Sequence, residues 1–362
     1  MPLYVGAEGV ARKAKKLYVG VDGVARKVKR AYVGDNGVAR LFFAADPALS
    51  AGVGPRMNAS HFHHGLAKAG SYVVCAGGTS AAQNVDAFNE DGVLSSVEAL
   101  PENVSYVAGA TASDDTAVFA GGIVDNTTRV ARVYRYTKNL VRGELSSLQS
   151  PRGGAGAARV GSYVLIAGGV DNKGKQDDVD AYNVNTLVRT TAYWMYALMD
   201  APIGVESPTH ALFGGGYVDG TSQASASVTA YTPSLVRTEP TGLSLARYLC
   251  AGATAGSRAL FVGGNAGNGG TSAVDAYDAS LVRSTAALPS GCSAPAGGAL
   301  KGMGVVVNTE DRTTQFFDEA LFCRQGESFD AGVSAANTRV GVPLGARLWF
   351  ARGTTTLYTH FA

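Results

Sequence analysis

The chain has 362 residues, nearly balanced charge (31 Lys and Arg against 29 Asp and Glu) and 47 glycines. No apolar run reaches the roughly 18 residues that mark a membrane-spanning helix, and the start lacks the basic-then-apolar layout of a secretory leader. The four cysteines, Cys75, Cys250, Cys292 and Cys323, lie too far apart to suggest a disulfide framework and read as small buried hydrophobes. Charge is uneven: residues 1–40 hold nine Lys/Arg and three acids, and the remainder holds 22 basic and 26 acidic residues, so a basic arm precedes a mildly acidic body.

The arm repeats with a period of 14: Leu3-Tyr-Val-Gly-Ala-Glu-Gly-Val-Ala-Arg12, Leu17-Tyr-Val-Gly-Val-Asp-Gly-Val-Ala-Arg26 and Ala31-Tyr-Val-Gly-Asp-Asn-Gly-Val-Ala-Arg40. β-formers flank two turn residues in each copy, and Asp22-Gly23 and Asn36-Gly37 are favoured hairpin dipeptides, so each copy predicts a small β-hairpin. A lone hairpin is marginal in water, so the three need a surface to pack on. Tyr4, Arg12, Tyr18, Arg26, Tyr32 and Arg40 recur in register and are the expected anchor residues of an assembly arm, against the plainer reading of a solvated basic face.

Residues 41–362 read as one repeat domain. A unit of roughly 46 residues recurs seven times. Each carries an apolar run into paired glycines, as in Tyr72-Val-Val-Cys-Ala-Gly-Gly78, Tyr163-Val-Leu-Ile-Ala-Gly-Gly169 and Ala259-Leu-Phe-Val-Gly-Gly264, with weaker copies at Gly304-Val-Val-Val-Asn308 and Arg347-Leu-Trp-Phe350. A second strand ending in an aromatic follows: Val85-Asp-Ala-Phe88, Val179-Asp-Ala-Tyr182, Val274-Asp-Ala-Tyr277. A short turn then leads to Leu140-Val-Arg142, Leu187-Val-Arg189, Leu235-Val-Arg237 or Leu281-Val-Arg283, taken as the fourth strand. This period, with short strands and glycine punctuation, predicts an all-β, seven-bladed β-propeller. The last unit lacks a fourth strand, and residues 46–54 match that strand's layout, so the N-terminal side is expected to close the final blade and remove an exposed edge.

The apolar run plus Gly-Gly, the downstream aromatic and the Pro-Arg pairs at Pro55-Arg56 and Pro151-Arg152 resemble the kelch propellers. The resemblance departs at the Trp that kelch units carry after the Tyr, a place Val188 and its equivalents take here. The tandem Tyr-Val-Gly-x-x-Gly-Val-Ala-Arg units resemble those at the start of virion-structural and tail-associated proteins of phages and prophages of Gram-positive bacteria. That resemblance implies location in a virion, with other virion proteins bound through residues 1–40.

Chemistry is sparse. His61-Phe-His-His64 is the one cluster with a catalytic look; on a strand His61 and His63 would share a face near the channel, as polar mouth residues, sugar contacts or metal ligands. No third ligand is identifiable, so neither metal nor cofactor is expected. The connections between second and third strands (79–84, 123–130, 170–178, 217–227, 265–273) are long and variable, and such loops on a rigid scaffold carry binding. The expected ligand residues on that face are Tyr193, Trp194, Tyr196 and Tyr217 as aromatics, with His61, His63, Tyr106, Arg152, Arg247 and Tyr248 near the channel mouth. The expectation is a non-enzymatic virion adhesin recognising a bacterial surface glycan or protein, able to self-associate, with no nucleic-acid or membrane partner. The alternatives are a structural decoration or baseplate protein and, third, a glycan-processing enzyme.

Overall fold

The computed structural model describes residues 48–79, 83–125, 127–218, 223–329 and 340–361, with the strands of the arm. It divides into two compact units, Met1–Ala48 with Phe361–Ala362, and Leu49–His360. In the first, Tyr4–Ala7 pairs with Val10–Lys13, Leu17–Val21 with Val24–Val28, and Arg30–Asp35 with Val38–Ala44, giving three antiparallel hairpins.

The second unit is all-β among the described residues. Its main sheets are six four-stranded antiparallel sheets and one three-stranded sheet. The third four-stranded sheet shows the pattern: Gly156–Val160, Tyr163–Ala167, Val179–Asn183 and Arg189–Thr191 in simple succession. Its second strand is buried from Val164 to Ala167, because a neighbouring sheet covers each face; this is why the sequence shows unbroken apolar runs there rather than alternation. Gly168 and Gly169 end the strand with φ of 66° and 100°, a geometry that glycine adopts without steric cost.

The innermost strands touch in sequence order, from Gly65–Ala69 through Ala108–Ser113 and onward to Val342–Leu344, which returns to Gly65–Ala69. The core is therefore divided among inter-sheet layers. One layer joins Val74, Ala76 and Ala87 to Phe119 and Tyr136, and another joins Phe88, Val73 and Cys75 to Trp349 and Val342. Edge-to-face rings recur in these layers at Phe119–Tyr136, Phe213–Tyr231 and Phe261–Tyr277, with centroids 5.8, 6.1 and 5.9 Å apart. Close approach around the channel demands glycine: a Cβ on Gly204 would sit 2.2 Å from the Ala157 carbonyl oxygen.

The three-stranded sheet runs Val342–Leu344, Arg347–Phe361, Leu49–His61, so Leu49–His61 is its outer strand. Gly52 lies against Tyr358, and Thr356 donates its hydroxyl to the Pro55 carbonyl at 2.7 Å.

One local reading is corrected. The Leu-Val of each Leu-Val-Arg motif is turn, and the fourth strand starts at Arg142, Arg189, Arg237 or Arg283. Leu140, Leu187, Leu235 and Leu281 have φ of 59°, 57°, 61° and 62°. The preceding polar residue fixes the turn: the Val282 N–H donates to Asp278 Oδ1 at 3.0 Å, and the Val236 N–H to Thr232 Oγ1 at 3.1 Å.

Candidate active site at the channel mouth

At the loop-bearing end of the channel, the residue two before five of the seven innermost strands adopts left-handed backbone: His63 (φ 54°), Tyr106 (56°), Gly154 (70°), Ala201 (52°) and Leu249 (57°). The Tyr106 N–H donates to the His63 carbonyl at 2.7 Å, and the Gly154 N–H to the Tyr106 carbonyl at 3.0 Å, linking neighbouring sheets around the rim. Four of these five are not glycine, and such strain persists where surrounding structure fixes it, commonly at functional sites. The long loops brace the same rim. Val104–Ser105 pairs with Ile123–Val124, and Met199–Asp200 with Tyr217–Val218.

The rim encloses a cavity of about 400 Å³ lined by His63, His64, Tyr106, Asp200 and Tyr217, among others. Two ring stacks stand at its edge: His63 on Tyr106, with centroids 4.2 Å apart, and Tyr217 on Tyr248, 4.3 Å apart. Lys175 Nζ lies 5.4 Å from the Tyr217 centroid and donates to the Val218 carbonyl.

His64 stands out chemically. Both its ring nitrogens are buried and neither makes a well-aligned hydrogen bond, the His61 backbone being a polar neighbour, although the residue lines the cavity. Burial, reinforced by the charge of His61, lowers its pKa to about 3, so the ring is neutral at physiological pH. His61 is its opposite. Burial opposes charge on that ring, but the Cys75 sulfur and the Asp86 carboxylate outweigh it and push the pKa up to about 10. His61 contacts Asp86 Oδ2 through Nε2 at 2.9 Å and the Gly77 carbonyl through Nδ1 at 2.6 Å.

The expected ligand residues separate into three groups. His63, Tyr106, Tyr217 and Tyr248 meet at the mouth as described. His61, Arg152 and Arg247 are corrected from ligand contacts to interior ion pairs: each is fully buried, and Arg152 and Arg247 reach Asp180 and Asp275 at 2.7 Å. His61 and His63 share no strand face, because the strand Leu49–His61 ends at His61 and the chain turns before Gly65. Tyr193, Trp194 and Tyr196 stand apart from the cavity, against Arg237 of an outermost strand. The side chains of Tyr4, Arg12, Tyr18, Arg26, Tyr32 and Arg40 lie outside the described part of the structure.

Sequence reasoning did not single out His64 or Asp200 as residues of this cavity. His64 was visible only as the last of a histidine cluster, and strand alternation pointed to its neighbours. Among the described residues no group of three or more His, Cys, Asp or Glu is placed to hold a metal ion.

Ring-ordered sheets around a channel define a β-propeller, and solved structures agree. The chain resembles a virginiamycin B lyase from Staphylococcus aureus, a catalytically inactive histidine-to-alanine variant with quinupristin, at TM-score 0.64 and 13% identity over 87% of this chain and 100% of that one. It resembles a streptogramin B lyase at TM-score 0.61 and 11% identity, over 87% and 98%, and a protein named YjhT at TM-score 0.59 and 10% identity, over 76% and 99%. No protein-family model matches the chain, and no curated protein sequence does. These likenesses correct the expectation of a non-enzymatic virion adhesin: the named propellers include lyases, and none is a phage adhesin.

Proposed function

We propose that this chain is a seven-bladed propeller enzyme that performs a lyase-type elimination at the channel mouth. The observation that carries this reading is His64, a neutral imidazole whose buried ring nitrogens make no well-aligned hydrogen bond in the wall of an aromatic-edged cavity. When the His64 ring turns towards the cavity, its neutral N–H can polarise a substrate carbonyl without carrying charge, a role that a lowered pKa allows. The Asp200 carboxylate takes the proton from the carbon next to that carbonyl. A carbon–carbon double bond forms, the carbon–oxygen bond one atom further on breaks, and the leaving oxygen takes a proton from the Tyr106 phenol. The histidine-dependent activity named for the lyase neighbour supports the choice of chemistry, and six four-stranded sheets plus one of three strands support the blade number.

The test uses quinupristin and uronate-containing oligosaccharides as first substrates, with the new conjugated double bond followed by absorbance and products by mass. Loss of one preorganised donor costs on the order of 100-fold in kcat. His64→Phe is expected to lose that much, and His64→Gln, which keeps an N–H, to retain part. Turnover unchanged in His64→Phe would refute the proposal.

A further inference from the structure

The propeller carries its own internal control for the segment at Tyr193. After a fourth strand the chain crosses to the next sheet, and at four of these crossings it is pinned by a tyrosine hydroxyl from that sheet. Tyr136 donates to the Glu98 carbonyl, Tyr182 to Ser146, Tyr231 to Tyr193 and Tyr277 to Thr241, at 2.7–2.9 Å. Two residues later a buried apolar plug enters the core: Leu100, Leu148, Met195 or Leu243. Between pin and plug the other crossings use Glu98-Ala99, Ser146-Ser147 and Thr241-Gly242, so the scaffold needs no bulk there. Here the residues are Tyr193-Trp194, with relative exposures of 74% and 62%, and Tyr196 follows the plug at 43%.

This segment is rigidly held. Arg237 Nη1 donates to the Trp194 carbonyl at 2.8 Å, the Met195 N–H to the Asp177 carbonyl at 2.8 Å, and the Tyr196 N–H to Thr229 Oγ1 at 3.2 Å. The Arg237 guanidinium lies 4.0 Å from the Tyr196 centroid and 5.7 Å from that of Tyr193. Preorganised backbone beneath solvent-facing rings lowers the ordering cost of binding.

We infer that Tyr193, Trp194 and Tyr196, with Arg237, form a second site on the outer wall that holds a pyranose ring of a saccharide chain. Aromatic faces cover the apolar face of a sugar while a fixed guanidinium donates to its hydroxyls. Size argues against a protein partner: three rings fall far short of the roughly 20–30 residues a side that a stable protein interface uses. The inference does not depend on the chemistry proposed for the mouth.

The full chain would be run in native gels cast with dextran, xylan, hydroxyethyl cellulose or glycol chitin, and titrated with the matching oligosaccharides. Of two tryptophans, Trp349 is buried and Trp194 exposed, so a change in tryptophan emission reports on this site. Retardation and an emission shift with at least one polymer are expected. Trp194→Ala should weaken binding on the order of tenfold with an unchanged melting temperature, and Trp194→Phe should recover part of it. His64→Phe should leave retardation intact, so failure at the mouth and failure here are distinguishable. No retardation by any of the four polymers, or equal retardation of wild type and Trp194→Ala, overturns the inference, as does a Trp194→Ala defect confined to self-association.

Discussion

The buried charges follow a rule across the ring. Where the residue four before an innermost strand is cationic, the residue two before the third strand's aromatic (Phe88, Tyr182 or Tyr277) is aspartate: His61 with Asp86, Arg152 with Asp180, Arg247 with Asp275. In the intervening repeats the same two positions hold Val104 and Tyr134, Met199 and Thr229, and Cys292 and Gln315. Removing one member of a buried pair leaves an uncompensated charge and costs about 3–5 kcal/mol, whereas replacing both can be neutral. Asp180→Thr alone should therefore destabilise by that amount in urea unfolding, and Arg152→Met with Asp180→Thr should regain most of it. The two histidines give opposite pH signatures. His61 has a folded pKa raised from 6.5 to about 10, so its contribution is complete below pH 6.5 and is lost as pH climbs towards 10. His64, lowered to about 3, makes the unfolded chain the better proton binder between pH 6.5 and 3, so stability falls as acid is added through that window. His64→Leu should flatten the acid limb of stability against pH, and His61→Gln the alkaline limb.

Strands were legible wherever packing imposes a pattern. The apolar runs and the strands ending in Phe88, Tyr182 or Tyr277 are sandwiched between sheets and had to be apolar; the glycine pairs had to reverse the chain. The fourth strands lie at the rim of each sheet, where Val141, Val188, Val236 and Val282 are 57–63% exposed, so hydrophobicity there misled the boundary. The arm and the outer strand of the last sheet separate in their expected effects. Removing residues 1–40 leaves Leu49–His61 in place and should hardly alter the melting temperature of the propeller unit. Removing residues 1–54 takes half that strand from beside Arg347–Phe361, bares an edge and should lower the melting temperature by many degrees. Equal melting of the two truncations in calorimetry would contradict this.

The site was less legible than the fold because the ring, not the chain, decides which residues meet. Tyr106 lies far in sequence from the paired Asp200 and Tyr217, yet all three line one cavity, while Tyr193 and Tyr196, close in sequence to Asp200, face elsewhere. Their chemistry could be named in advance but not their grouping. The shared sheet of Leu49–His61 and Arg347–Phe361 also sets a timetable. During synthesis Leu49–His61 must wait, unpaired, until Arg347–Phe361 has emerged about 300 residues later. Pairing over that separation carries a large loop-closure entropy and makes the last step slow. Because Gly52 faces Tyr358 and Thr356 reaches Pro55, a short linker between these strands would make an ordinary hairpin. A circular permutant so joined, and opened between two other sheets, should keep the same equilibrium stability but change its refolding rate and its tendency to aggregate while folding. When the ring closes during folding would then be set by the order of its strands along the chain, not by the finished fold.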